Sequence, residues 1–257
     1  MCVASVAWQA HPRWLLVAIG NRDEFHDRPA GPLTPWHDDS GIIAGRDLKS
    51  GGTWLGVSTA GRFSLVTNLR GYGGPDPDKA SRGALVTDSL AGSGRYADPD
   101  AVPLTDFNPF NLILADRERA TFLSNRPDDI RTTLTHGIYG LSNGMLDEPW
   151  PKTLQLKEAL LDWLNSGKGD EKDAFAPLFA AMRNERRSDI GLHPRQPSDV
   201  TREARDTAPF INDPSYGTRC STIVAIDRSG NGRIAERRFS SQGEISGYTV
   251  IDFAWPG

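Results

Sequence analysis

Cys2-Val3-Ala4-Ser5-Val6-Ala7-Trp8, then Gln9-Ala10-His11-Pro12-Arg13, then Trp14-Leu15-Leu16-Val17-Ala18-Ile19-Gly20, followed at once by Asn21-Arg22-Asp23-Glu24, is the stretch on which the reading of the chain turns. Two mostly apolar runs flank a segment of turn character, the pattern of a β-hairpin. Pairing Trp8 with Trp14 across the turn predicts Cys2 opposite Gly20, and within a residue or two of Asn21, Arg22 and Asp23. The hairpin's own geometry therefore sets the second residue of the chain beside a polar cluster.

A cysteine at position 2 has two readings. Within a first strand it is a small, inert, buried hydrophobe. After removal of Met1 it carries a thiol and a free α-amine on one residue, a nucleophile with its own base. A thiol with a pKa near ~8.5 and an α-amine near ~8 exchange a proton at neutral pH with little driving force lost, and no histidine is needed. The small cysteine side chain also favours excision of the preceding methionine. The run Asn21 to Glu24, taken alone, is a solvated turn. Beside a terminal thiol, Arg22 would lower the thiol pKa and Asp23 would hold the ammonium.

Composition bounds the function. The chain has 257 residues, the upper range of one domain, and is read as a single domain over 1–257. Charged residues make up 24% and the formal net charge is -4, so no basic surface field points to nucleic acid or an anionic membrane. Small molecules are the expected partners; the sequence is silent on oligomeric state. The two cysteines, Cys2 and Cys220, are too few for a disulfide framework or a closed zinc site, so no metal or cofactor is expected, while a single bridge between them stays open. No run approaches the ~18 to 20 apolar residues that span a bilayer, and the start lacks the basic and apolar regions of a secretory leader. A cytoplasmic protein with no membrane span is the expectation.

Further along, strands are expected near 3–8, 14–20, 42–45, 53–58 and 62–68, with Gly51-Gly52 and Ala60-Gly61 as turns, then a short helix from Ser81 to Leu90. Asn111 to Ala115, Ala120 to Ser124 and Ile138 to Leu141 read as three more strands. Pro151 suits a first helical turn, and Leu154, Leu156, Leu160, Leu161 and Leu164 cover one broad face after it. Asp173 to Met182 continues at helical spacing. Glu185 to Asp206 reads as an exposed polar loop, and three closing strands fall at 220–227, 232–239 and 247–254, the first two joined by Gly230-Asn231-Gly232. Strands, helices, then strands predict an α+β layered domain.

Other polar groups fall at strand ends. Asn68 closes Phe63-Ser64-Leu65-Val66-Thr67 and reads either as a turn former or as an amide donor to an oxyanion, a role that contributes about 3 kcal/mol in acyl transfer. Asn143, in Leu141-Ser142-Asn143-Gly144, carries the same two readings. Arg219, in Tyr216-Gly217-Thr218-Arg219-Cys220, either binds a carboxylate or pairs with a surface acid.

Taken together, Asn21-Arg22-Asp23-Glu24-Phe25 with Arg28-Pro29, Gly51-Gly52-Thr53-Trp54-Leu55-Gly56, Thr67-Asn68, Leu141-Ser142-Asn143 with Pro149-Trp150-Pro151-Lys152, and Tyr216-Gly217-Thr218-Arg219 resemble the NRDE family, also known as the transport and Golgi organisation family. The likeness runs from Met1 to the last strands; residues 165 to 205 hold nothing diagnostic. That family is similar in architecture to N-terminal nucleophile hydrolases, which implies a four-layer αββα sandwich. Choloylglycine hydrolases and penicillin V acylases, the cysteine members of that superfamily, resemble this chain in the order of their polar residues. The resemblance implies Cys2 as nucleophile, Asp23 on the α-ammonium, Asn68 and Asn143 on the oxyanion or amine, and Arg22 and Arg219 tuning the thiolate.

Two functions follow from that likeness. One is a cysteine amidohydrolase acting on a small linear amide through an acyl-enzyme on Cys2. The other is a binding or trafficking protein holding haem or an acyl lipid in the same pocket, since the family has been linked to membrane traffic, lipid and acyl-CoA homeostasis and movement of haem. No Cys-x-x-Cys-His signature occurs, so haem would be held non-covalently, with His11, His26, His37, His136 and His193 as conceivable ligands. Of the seven tryptophans, Trp8, Trp14 and Trp54 fall in strand runs and are expected in the core.

Overall fold

A computed structural model describes residues 2–38, 40–167, 169, 173–187 and 208–257. The opening hairpin forms from β1 (Cys2–Trp8) and β2 (Trp14–Phe25). Its register differs from the expected one: Trp8 faces Leu16, and Cys2 faces Arg22 instead of Gly20. Residues 9 to 15 lie between Trp8 and Leu16, instead of the expected 9 to 13. Gln9, with φ 47°, donates its N–H to Leu15 O at 2.8 Å and closes the ladder. Trp14 is drawn onto the neighbouring elements instead, pairing with Asp227 and packing its ring 5.4 Å from that of Trp163.

β2 runs five residues beyond the expected Gly20. Asn21 to Phe25 look like a turn by composition, but they pair with the start of β11 (Tyr216–Asp227), which likewise begins before the expected residue 220. The six-stranded antiparallel sheet has the order β10 (Gly137–Leu141), β1, β2, β11, β12 (Asn231–Phe239), β13 (Ile245–Ala254). A seven-stranded antiparallel meander runs from β3 (Ala30–Pro35) through β4 (Ile42–Asp47), β5 (Leu55–Ser58), β6 (Arg62–Asn68), β7 (Phe110–Ala115) and β8 (Ala120–Ser124) to β9 (Ile130–Thr133).

The sheets stack face to face around Trp8, Leu16, Leu55, Phe63, Phe122 and Val224. On the outer face of the six-stranded sheet, α2 (Pro151–Asn165) and α3 (Ala176–Met182) cover Val3, Val17, Ile19 and Ile223 with Leu156, Leu160, Trp163 and Leu178. On the outer face of the other sheet, α1 (Arg82–Ala91) packs Leu85, Val86 and Leu90 against Ile42, Val66 and Leu112. The result is the expected αββα sandwich. Its central strands are apolar on both faces because both are covered, which is why β1 and β2 read as continuous apolar runs. The tryptophans expected in the core behave unequally: Trp8 is 2% exposed, whereas Trp14 and Trp54 are only partly buried. The loop expected over 185–206 falls largely outside the described residues, as does His193. Among the described residues no helix is long and apolar enough to cross a membrane, and no cluster of three metal-binding side chains occurs.

Strand alternation places the polar residues. On the inner face of the six-stranded sheet, β1 presents Trp8, Val6, Ala4 and then Cys2, and β2 presents Leu16, Ala18, Gly20 and then Arg22. β11 continues the trend from Val224 through Thr222 to Cys220, and β12 from Ile234 through Glu236 to Arg238. Apolar filling gives way to polar side chains at one shared end of the sandwich, and there a cavity opens.

Candidate active site

The cavity has a volume of about 650 Å³ and is lined by Cys2, Arg22, Asp23, Asn68 and Arg219 among others. Five of the six residues singled out from the sequence thus share one space; Asn143 lies behind its wall. Cys2 is only 8% exposed, so its sulfur is shielded, yet its neighbours are charged.

Cys2 is held by its backbone on both sides: β1 pairs with β2, and Ser142 Oγ donates to Cys2 O at 3.1 Å. Burial pushes the Cys2 thiol up. The positive charge of the amino terminus, carried here by Met1, the Asp23 backbone N–H and the Arg22 guanidinium pull in the other direction, and the Asp23 carboxylate adds to the rise. A thiol kept protonated by burial needs a base at the moment of attack.

Asp23 is oriented by β11. Thr218 Oγ1 donates to Asp23 Oδ1 at 2.7 Å while accepting the Ile211 N–H at 2.9 Å, so the hydroxyl proton has one direction to point. Tyr216 Oη donates to Asp23 O at 2.8 Å. The Tyr216-Gly217-Thr218 segment therefore fixes the position of Asp23. Arg22 reaches across to the second sheet, its Nη2 2.8 Å from Asp47 Oδ2, which also receives Arg28 Nε at 2.6 Å. Burial alone would raise Asp47, but hydrogen bonds from Arg28 and Ser50 N–H and the charges of Arg22 and Arg28 outweigh it and hold the carboxyl below its usual range. Arg22 Nη1 is buried and makes no hydrogen bond among the described residues.

Asn143 differs from its implied role of direct donor. Its Nδ2 donates to Asn68 O at 2.8 Å, and its carbonyl accepts Arg70 N–H at 3.0 Å, so it ties the end of β10 to the end of β6 and fixes Asn68. Arg219 also departs from its implied role. It sits at a register shift in β11, and its Nη1 donates to the carbonyls of Phe25, His26 and Arg28 at 2.8, 3.1 and 3.1 Å, clamping that turn; the guanidinium acting on Cys2 is that of Arg22. Asn21, first of the Asn-Arg-Asp-Glu run, faces the outer layer. Its amide donates to Met182 O and Pro209 O, both at 2.8 Å, and its Oδ1 accepts from Ser221 Oγ at 2.6 Å.

The structure adds groups that the sequence did not single out as site residues. Arg28 and Asp47 complete the ion network around Arg22. Cys220 stands opposite Arg22 on the side away from Cys2, and Glu236, 3% exposed, accepts the Leu33 N–H at 2.9 Å. A Cβ on Gly45 would come 3.2 Å from Glu236 Oε2, so the bare backbone of β4 lets that carboxylate fit between the sheets. Both cysteines are free thiols. They flank Arg22 on adjacent strands, which sets their Cα atoms about 10 Å apart, beyond the roughly 4.4–6.8 Å of a disulfide. The bridge left open by the sequence is therefore not formed. Among the described residues, His11, His26, His37 and His136 do not line the cavity.

Two stacked antiparallel sheets with helices outside, and a cavity at the strand ends around the second residue, define the fold class of the N-terminal nucleophile hydrolases. The structure matches two crystal structures of conjugated bile acid hydrolase from Clostridium perfringens, a cysteine-to-alanine mutant and an arginine variant. The TM-scores are 0.57 and 0.53, at 8% identity in each case, covering 98% and 97% of this chain and 92% of those chains. The chain belongs to the Transport and Golgi organisation 2 family, which matches residues 1–241. Relatives include the Transport and Golgi organization protein 2 homologs of Homo sapiens, 32% identical, and Bos taurus, 31% identical, each alignment spanning 92% of both chains.

Proposed function

We propose that the chain, once Met1 is removed, is a cysteine amidohydrolase acting on a small linear amide. The single observation that carries this reading is that Cys2, at the start of β1, lines one cavity together with Arg22, Asp23 and Asn68. In the proposed reaction the α-amine of Cys2 takes the thiol proton, and Sγ attacks the amide carbon. The oxyanion is held by the Asn68 side-chain amide, fixed from behind by Asn143, and Asp23 holds the α-ammonium. That ammonium then gives its proton to the leaving nitrogen as the C–N bond breaks, leaving a thioester. Water, activated by the now neutral amine, attacks the thioester and releases the acid and the thiol. Arg22 supplies positive charge beside the sulfur, and Arg219 is a positioning residue for the turn at 25–28.

The conjugated bile acid hydrolase cleaves, by its name, a conjugate, and a likeness of fold supports this chemistry without choosing the amide. The rival reading, non-catalytic holding of an acyl lipid or haem in the same cavity, predicts saturable binding with no turnover. The test is a preparation in which a cleavable leader exposes Cys2 as the first residue, incubated with a panel of N-acyl amides and followed by intact mass. The expected result is release of amine and a transient mass gain equal to the acyl group, absent in Cys2→Ala. Binding with neither product nor adduct favours the rival.

A further inference from the structure

The chain carries a net charge of -4, yet the cavity wall holds eight basic side chains against five acidic ones. Four of these acids are engaged or assigned. Asp47 serves both Arg22 and Arg28, Glu24 lies 3.8 Å from each of the same two, Glu236 faces Arg238 at 3.9 Å, and Asp23 is given to the α-ammonium in the mechanism above. Two of the eight basic residues, Lys79 and Arg82, stand where α1 begins, with the fifth acid, Asp76, in the same stretch of wall, its Oδ1 accepting the Asp78 N–H at 2.9 Å. Arg82, the first residue of that helix, lines the cavity; its one hydrogen bond is from Nη1 to Pro109 O at 3.0 Å, and it has no ion-pair partner among the described residues. Lys79 beside it donates to Thr105 O at 2.8 Å and has no ion pair either.

Burial pushes the Arg82 guanidinium down, and the charges that reach it across the cavity are those of Cys2, Glu24 and Arg28. A guanidinium in partial burial without a carboxylate is costly to hold in the absence of an anion. The fold holds it there deliberately: a Cβ on Gly52 would lie 2.6 Å from the Gly83 backbone, so the glycine lets the start of α1 lie directly on the β4–β5 turn. Ser81 caps the helix through Gly83 N–H, and the first turn contains no acidic residue to offset the cationic end.

We propose that Arg82, flanked by Lys79, is an anion-recognition subsite of this cavity, and that the ligand carries a carboxylate or a phosphate on the portion that faces α1. The proposal rests on the cavity being the ligand site, and its geometry is the same whether the ligand is cleaved or only held. Arg82 presents a planar fork suited to either group, with Lys79 adding a point charge.

The test uses the full chain with Cys2→Ala, which prevents turnover, and three amides sharing one hexanoyl group. These are N-hexanoyl-β-alanine, N-hexanoyl-2-aminoethyl phosphate and the neutral N-hexanoyl-3-aminopropanol, titrated by calorimetry. At least one anionic amide is expected to bind about tenfold tighter than the neutral one, with the preference weakening as salt rises. Which of the two binds better separates carboxylate from phosphate. Arg82→Gln should abolish the preference, Arg82→Lys should keep part of it, and Lys79→Gln should reduce it. If Arg82→Gln fails to fold, the lysine variants and the salt dependence decide. Equal binding of charged and neutral amides, or no binding of any, overturns the proposal, as does a preference that survives in folded Arg82→Gln. Assayed on the chain with Cys2 intact, cleavage without charge preference would sink this subsite and leave the hydrolase reading standing. Charge-selective binding without cleavage would do the reverse.

Discussion

The start of β1 and the middle of β11 offer the same chemistry in two settings. Cys2 and Cys220 are both buried, both line the cavity and both face Arg22, one from each neighbouring strand. Burial raises both thiols, but their other neighbours differ. Around Cys2 the opposing influences are the amino-terminal charge, the Asp23 N–H and Arg22. Around Cys220 the Glu236 carboxylate reinforces burial and the thiol lies well above its ordinary range, with Arg22 and Thr222 opposing. A thiol in mid-strand has no α-amine to accept its proton. In the proposed mechanism, reactivity is thus set by position in the chain, not by residue type or burial.

The largest expected effect separates the two directly. Cys2→Ala should lower amide turnover by at least about 10³-fold, and Cys220→Ala should leave it within a few-fold; product release measured by mass spectrometry checks both. Next comes the pair of asparagines. Asn68→Ala should lower kcat by about 10² to 10³-fold with a small change in melting temperature. Asn143→Ala, which strands Asn68 O while leaving the Arg70 N–H on the backbone carbonyl of residue 143, should instead cost about 1–3 kcal/mol of stability and lower kcat less, as read by denaturant titration beside the rate assay. In a third comparison, iodoacetamide at neutral pH should modify Cys2 in the Met1-free chain while leaving Cys220 unmodified until the chain is unfolded, as peptide mapping would show.

The smallest effect concerns two carboxylates of the cavity wall, Glu236 and Asp47. Glu236 is pushed up by burial, partly offset by the Leu33 N–H, Arg238, Cys220 and Arg22. An acid with a raised pKa binds more protons folded than unfolded, so it costs stability as pH rises through its ordinary value toward the folded one. Glu236→Gln should therefore raise the melting temperature at pH 7 and have no such effect near pH 4. Asp47, held low, has the opposite sign. Its contribution is present above the ordinary carboxylate range and is lost as pH falls through the lowered folded value, so Asp47→Asn should destabilise at pH 7 and progressively less as pH falls below 4, in the same melts.

Much of the site was legible because a hairpin is local: residues 2 and 22 meet through one short connection, and even a register displaced by two residues leaves Cys2 in the right company. The fold class followed from the strand–helix–strand order and the family motifs. What escaped detection has physical reasons. β3 contains Pro32 and Pro35 and β9 is mostly exposed; both are sheet edges, where apolar alternation is weak and proline is tolerated. Asn21 to Glu24 read as a turn because buried polar residues in a strand are invisible without their partners, here Met182, Pro209, Ser221, Thr218 and Asp47. Arg82 and Glu236 enter the cavity through contacts between elements far apart in sequence, and nothing local marks them. Asn143 and Arg219 were found, but only the structure shows that their donors are spent on backbone carbonyls.

The account stands most directly on one measurement: the rate of iodoacetamide alkylation at Cys2 near pH 7 in two preparations of the same chain, one beginning at Cys2 and one retaining Met1, with Cys220→Ala in both. A faster reaction in the chain that begins at Cys2, accompanied by acyl-enzyme formation in that preparation alone, is the predicted result. Equal alkylation rates, with no acyl adduct in either, would contradict it.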